Sequence, residues 1–546
     1  MRDLRLTLVA SLLLGTSVAT SAEGDSPAAA LREDLAVYSR PVTTSSAEAQ
    51  RWFDQGLVLY FGFNHEAAIA SFAKAAELDP TCAMAWWGQA ISAGPNINNP
   101  HMDDAAAQAA FEAARRALDL AKNASPAEQG LIRAVAARYA WPAPEDRRSL
   151  DVAYCDEMRK VARAHPDDVD VGVLFADAAM NLRPWDLWSP NGEPRPETPE
   201  IMATLERVLN RVPNHPLACH LYIHTMEASP APEKALPAAN VLRTRVPGAG
   251  HLVHMPSHID IRLGHYHDAM VANQKAIEVD RSWAAQGGFY TFYRAHNYHF
   301  LAYGAMFDGQ KEIALRAARE MVEQVPLEVV RAYPDFLDGF IAVPTHVMVR
   351  FGMWKELIDA PAPPGDLVAT TAFWRYGRTV ALAATGRVEE AAAEFAALKK
   401  AFDAVPESRL IGNNTARTVL EVGLPMAEGE LEYRRGNYDR AFELLREAVA
   451  RDVALKYDEP WGWMMPVRHS LGALLLEQGR VDEAEAVYRA DLALHPSNGW
   501  ALHGLAECLK RRGRDKDAVA VEAQFLESWK RSDITIQSSC YCRKGS

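Results

Sequence analysis

Three short segments of this chain carry histidines spaced three and four residues apart: HLYIH from His220, HLVHMPSH from His251 and HNYH from His296. On an α-helix these spacings put side chains on one face, one turn apart. Neutral imidazole donates a nitrogen lone pair to copper, zinc, iron or nickel, so two rings one turn apart can hold one ion. The enrichment is local. Ten of the 17 histidines fall between His215 and His299, where even scattering would place two or three. Within that window His265 and His267 read as turn residues exposed to solvent. His165, His215 and His495 stand at or beside loop prolines and read as caps or turn formers.

The elements that must aim these rings are legible as a repeat. Gly56, Ala68, Phe72, Ala75 and Pro80 are spaced 12, 4, 3 and 5 apart, the small and large packing positions of a helix-turn-helix unit. Small residues let antiparallel helices approach, and the proline closes the second helix. A glycine followed five residues later by alanine then recurs, at Gly264/Ala269, Gly309/Ala314, Gly386/Ala391, Gly436/Ala441, Gly479/Ala484 and Gly513/Ala518, with Gly352/Leu357 as a larger variant. RLGHYHDA, YRRGNYDRA and LEQGRVDEA carry the turn and the start of each second helix.

These residues resemble the tetratricopeptide repeat family, with units at 49–82, 216–283, 295–328, 338–371 and 372–532. The resemblance implies an all-α fold, a right-handed superhelical α-solenoid whose first helices line a concave surface where the family binds peptides. It is specific for architecture and nearly silent about function. The expected organisation is 23–125 as N-terminal repeats, 126–215 as divergent repeats, 216–371 as histidine-rich repeats, 372–532 as C-terminal repeats and 533–546 as an extended tail. Two insertions interrupt the array, AGPNINNPHMDD at 93–104 and the Trp/Pro-rich LRPWDLWSPNGEPRPETPE at 182–200. Loops this long are often functional. Asn96, Asn98, Arg183, Trp185, Asp186 and Trp188 either cover part of the groove or pack down on the helices as a plain surface loop.

Counted back from the second-helix landmark, ten histidines fall at offsets of 18, 15 or 11: His220, His224, His251, His254, His258, His296, His299, His346, His469 and His503. Those offsets form one stripe along the first helix, which by the resemblance is the concave one. Eight of them, His220, His224, His251, His254, His258, His296, His299 and His346, are the expected metal ligands. A rise of 1.5 Å per residue separates the outer levels of the stripe by roughly 10 Å, room for two adjacent ions. The upper level would hold His251 and His296, the middle His220, His254 and His299, the lower His224, His258 and His346. Glu227 faces the same way as a hard ligand, a partner that orients an imidazole, or a general base. Arg262 would orient an anionic substrate or product.

This set leads to an exported metalloenzyme with one or two ions. Copper is favoured for an all-imidazole set, with zinc or iron next, and the substrate is a small molecule or peptide in the groove. The chemistry is oxidation by O₂, or hydrolysis through an activated water with Glu227 as base. The alternatives are a non-catalytic periplasmic metal carrier or maturation factor, and a scaffold holding a partner protein or peptide.

Composition and address constrain the rest. A net charge of −13 argues against a nucleic-acid partner, which requires a basic stripe. A chain that is 49% hydrophobic is not globally disordered, and six cysteines in 546 residues build no disulfide scaffold. GxSxG, HExxH, CxxCH, phosphate-loop and dinucleotide motifs are absent. Arg2 and Arg5, the apolar run Leu6–Leu14 and the small residues Ala19 and Ala22 follow the order of a secretory signal peptide cleaved after Ala22. That run is too short to span a membrane, so a periplasmic or secreted protein is expected. Cys540 and Cys542, two residues apart in ITIQSSCYC, would make an unusual disulfide. They could bind a soft ion as thiolates, fold into the groove, or lie in a loose terminus.

Overall fold

The structure, a computed structural model, describes residues 30–283 and 290–543. The expected leader, residues 1–22, lies outside the described residues. Among these the fold is an all-α solenoid of antiparallel helix pairs, interrupted by one small hairpin in which Leu410–Ile411 pairs with Asn414–Thr415. No described helix is long and apolar enough to cross a membrane. The chain divides into two compact units, residues 30–256 with 278–283 and 290, and residues 257–277 with 291–543. The division falls inside the histidine-rich segment 216–371.

The first unit begins with the pair Ala47–Phe61 and His65–Leu78, within the expected repeat 49–82. Ser46 and Asn64 cap these helices by accepting from the amides of Ala49 and Ala67. Gly56 and Gly88 face the Phe72 ring so closely that an added Cβ would lie 2.8 and 2.4 Å from its Cδ1. Glycine at both places is a packing requirement. Ala83–Ser92 with Asp104–Leu120, Pro126–Ala137 with Arg148–Ala164, and Val169–Met180 with Thr198–Arg211 continue the series. Pro216–Met226 with Leu236–Arg245 brings the first histidine pair.

The second unit repeats the pattern from Tyr290–Phe307 with Lys311–Gln324 to Gly499–Arg511 with Asp515–Trp529. The landmark spacing has a direct structural cause. Gly264, Gly309, Gly352, Gly386, Gly436, Gly479 and Gly513 all take positive φ at the turn between helices, a conformation that costs a side chain dearly. The residue five positions on is buried in every case: Ala269, Ala314, Leu357, Ala391, Ala441, Ala484 and Ala518.

Candidate metal centre

Pro216–Met226 is buried along its whole length, which a helix between two neighbours requires of every face. Its start is over-determined. Pro216 supplies a preset φ at the first position, and His215 Nδ1 accepts from the Ala218 amide at 3.2 Å. His215 Nε2 therefore carries the proton and donates to Asp170 Oδ1 at 3.0 Å. Burial alone would push the Asp170 carboxyl up. The His215 hydrogen bond and the Arg40 guanidinium outweigh it and hold the group at about 2. His215 is thus the cap expected of it, and the helix it anchors presents His220 and His224 one turn apart.

His220 Nε2 lies 3.1 Å from His224 Nε2 and 3.2 Å from His251 Nε2. All three rings are buried, with His220 at 0% and His251 at 1% exposure. The far sides of two rings fix the tautomers. His220 Nδ1 sits 2.7 Å from the Phe61 carbonyl, and His224 Nδ1 sits 3.0 Å from Glu227 Oε1. A carbonyl and a carboxylate only accept, so both Nδ1 atoms donate. Both Nε2 atoms of the neutral rings then point lone pairs at each other across 3.1 Å. A metal ion, or a proton, between the rings would relieve that opposition. An ion 2.0–2.1 Å from each of three nitrogens in tetrahedral geometry would space them roughly 3.3 Å apart, close to the separations found. The ligand-capable atoms of all three residues lie within 4.8 Å of one another. Glu227 and the Phe61 carbonyl occupy the places of partners that orient metal-bound imidazoles.

Two aromatic residues flank the cluster, and sequence reasoning missed the role of one. Phe63 stacks on His251 at 5.5 Å and 19°, lies parallel to His224 at 6.3 Å, and meets His220 at 4.5 Å. Trp185 sets its edge against His224 at 5.5 Å. Both take left-handed φ, 55° and 62°, which is uncommon for aromatic residues and concentrates at functional sites. The sequence held a signal for Phe63: it stands five residues before Ala68, where other repeats place the turn glycine. Trp188 of the same insertion donates from Nε1 to the Thr225 carbonyl at 2.7 Å, and the salt bridges Arg183–Glu197 and Arg195–Asp186 hold the loop in shape. The 182–200 insertion therefore lies over the histidines, whereas 93–104 is closed on itself. There Asn96 Oδ1 accepts from the amides of Asn98 and Asn99, and Arg138 ties down the Pro95 carbonyl.

The other expected ligands are distributed differently. His254 is buried, its ring 5.6 Å from His251. In the second unit His258 and His296 stand 6.0 Å apart, both packed on Phe300. His258 Nδ1 pairs with Glu459, whose other oxygen accepts from Tyr457, and Arg262 lies over the Tyr457 ring at 5.5 Å. Glu459 was not expected, and its distance of some 200 residues along the chain explains why. Burial pushes His299 down to about 3, with His346 adding to the effect, and pushes His346 down to about 4. Both rings are neutral at any ordinary pH. His346 packs on Phe373 and Trp463, and His299 on Phe340.

Two expectations are corrected. The levels do not hold, because one cluster takes His251 from the upper, His220 from the middle and His224 from the lower. Imidazoles lean along the helix axis, so rise per residue overstates their separation. His469, in phase with the stripe but not among the eight expected ligands, bonds Asp491 at 2.9 Å and Arg350 at 2.8 Å. Finally, Cys540 and Cys542 are joined in a disulfide, and their segment is neither loose nor simply extended. Ser539 accepts from Arg350 through its carbonyl and donates to the His469 carbonyl at 2.8 Å, and Arg543 pairs with Glu507 at 2.7 Å.

Residues 49–82 and 475–524 each match a tetratricopeptide repeat profile. No curated protein matches the chain. Among solved structures it is similar to a human IFIT1 dimer with m7Gppp-AAAA, at 11% identity over 89% of this chain and 91% of that one, with a TM-score of 0.33. It is also similar to yeast Tom70, at 11% identity over 90% and 91% of the two chains, with a TM-score of 0.28. The chain thus carries recognisable tetratricopeptide repeats towards both ends, with antiparallel helix pairs between them.

Proposed function

We propose that this repeat protein holds a transition-metal ion on the Nε2 atoms of His220, His224 and His251. The observation that carries the reading is the pair of tautomer-fixed lone pairs facing each other at 3.1 Å, with His251 Nε2 at 3.2 Å. Three neutral nitrogens suit copper best, with zinc or iron also accepted by imidazole. A three-histidine set leaves a coordination position for a reactant, which distinguishes an enzyme site from a storage site. When bound, copper would supply oxidation by O₂, and zinc an activated water.

In this reading Glu227 orients His224, and Phe63 and Trp185 limit water at the ion. The Trp-rich insertion is the element that would open to a small or peptide substrate. His258, held by Glu459, and His296 would serve a second ion, and Arg262 an anionic group near Tyr457. The signal-like order of residues 1–22 in the sequence supports a protein of the periplasm or of the outside of the cell. A proton shared between His220 and His224 is the competing explanation of the same contact.

Elemental analysis of tag-free protein decides between ion and proton. One or more equivalents of copper, zinc or iron are expected, with one equivalent lost from His220→Ala/His224→Ala at unchanged helical content. No bound metal and none taken up on titration leaves the proton reading in place and removes the metal reading.

A further inference from the structure

The disulfide Cys540–Cys542 lies in a small cavity whose lining carries more sulfur. Met426, from helix Ala416–Arg434, and Met465, just before helix Val467–Glu477, line it together with both cysteines and Ser470. Met426 and Met465 are each 5% exposed and Cys542 is 3% exposed. Ser470 Oγ approaches Cys540 Sγ at 3.4 Å, and the Cys542 amide donates to the same sulfur at 3.1 Å.

The backbone on both sides of the pair is pinned without help from the S–S bond. Before it, the Ser539 carbonyl accepts from Arg350 Nη2 at 2.6 Å, and Ser539 Oγ bonds the Tyr488 hydroxyl at 2.6 Å and the His469 carbonyl. After it, Arg434 donates to the Cys542 carbonyl, and Arg543 is clamped by Glu507. Opening the disulfide therefore leaves two thiols in the same cavity as the two thioethers. The Arg350 guanidinium, which also lines the cavity, favours the thiolate forms.

We propose that this cavity is a redox-gated binding site for a soft monovalent cation, Cu(I) in the first instance, closed as the disulfide and opened as the dithiol. Thiolate and thioether sulfur select such an ion over hard divalent ones. Opening requires an external dithiol: its two thiols pass two electrons and two protons to the S–S bond, and it leaves as a disulfide. Cu(I) then binds Cys540 and Cys542 as thiolates, releasing both protons, and the single negative charge of the complex sits in a cavity lined by Arg350, where the lining carboxylate of Glu430 is paired with Arg434 at 2.7 Å. Met426 and Met465 complete the sulfur set. The site uses no residue of the histidine cluster and stands independently of it.

The test titrates Cu(I) into full-length protein against a Cu(I)-selective chelator, before and after reduction with a phosphine. The other four cysteines are already thiols in both states, so the difference isolates this pair. Reduction is expected to add one chelator-resistant equivalent, with near-ultraviolet sulfur-to-copper absorption. That equivalent should vanish in Cys540→Ser/Cys542→Ser and weaken about tenfold in Met426→Leu/Met465→Leu, a double variant that keeps the thiols and the apolar packing. Equal copper counts in oxidised and reduced protein overturn the proposal. So does an added equivalent that survives the serine variant, or one indifferent to the methionine changes.

Discussion

Glu227→Gln tests the tautomer argument most sharply. The carboxylate accepts from His224 Nδ1 at 3.0 Å at a site where it is 2% exposed. Glutamine keeps the size of the side chain but removes the charge. It offers either a weaker carbonyl acceptor or, flipped, an amide donor that forces His224 into the opposite tautomer with Nε2 protonated. Nε2 would then carry a hydrogen towards His220 Nε2 and could no longer bind an ion. Removing such an orienting partner costs about 10–100-fold in metal affinity, or about 1.4–2.8 kcal/mol. Alanine is the wrong substitution, because an orphaned buried N–H would by itself cost about 1–3 kcal/mol of stability. Competition titration with a chromogenic chelator reads the affinity, and circular dichroism and the unfolding midpoint report on the fold. A variant that binds metal as tightly as the parent, with its fold intact, refutes the account of how His224 is held.

Phe63→Gly should relieve the left-handed backbone, a gain of about 1 kcal/mol, yet lose a buried ring worth about 3–5 kcal/mol. A net destabilisation of about 2–4 kcal/mol in denaturant titration is expected, together with weaker metal retention; a stabilised variant would mean the ring contributes little. Gly88→Ala drives a Cβ to 2.4–2.6 Å from the Phe72 ring and should lower stability by about 1–3 kcal/mol, and an unchanged thermal midpoint would contradict that packing. Burial pushes the Asp452 carboxyl up to about 7, although Trp461 Nε1 and the Val467 amide donate to it. The unfolded group ionises near 3.9, so the native state holds the extra proton in between and stability falls as pH rises from about 4 to about 7. Asp452→Asn should therefore gain on the parent at pH 8 relative to pH 5, by at most ~3 kcal/mol, and an identical difference at both pH values would refute the assignment.

The repeat was legible because its two determinants are local. A glycine with positive φ at the turn and a small residue that buries five positions later leave a period in the sequence, and Gly264/Ala269 through Gly513/Ala518 keep it. His220 and His224 were legible as a pair for the same reason, being one helical turn apart. What surrounds them was not. The Phe61 carbonyl that fixes the His220 tautomer is 159 residues away in sequence and is backbone, invisible to any residue pattern. Glu459 reaches His258 across a comparable gap. His469 shares the phase of the stripe without being among the eight expected ligands, and its partner is Asp491, one helix on. Cys540 and Cys542 were discounted as a disulfide from their spacing, while the anchors that hold their segment lie on Arg350, Tyr488 and Glu507, far from the tail in sequence.

Phe63 joins these threads. In the first repeat it stands where seven other repeats place a glycine with positive φ, and it adopts that conformation anyway. A phenylalanine is a poor choice for the turn alone, since glycine makes the same turn without strain. Its ring buries to 3% exposure against His220, His224 and His251, three imidazoles that come from two later repeats. The strain at residue 63 therefore has its compensation at the histidine cluster and not in its own repeat. Trp185 follows the same logic from the other side, with left-handed φ inside an insertion that a plain array does not need. Backbone strain accepted twice around one set of rings marks the cluster as the place where repeat geometry yields to a local requirement. Three nitrogens converge there, two of them on rings whose tautomers are fixed from behind, and that convergence is what the proposed ion or proton would answer.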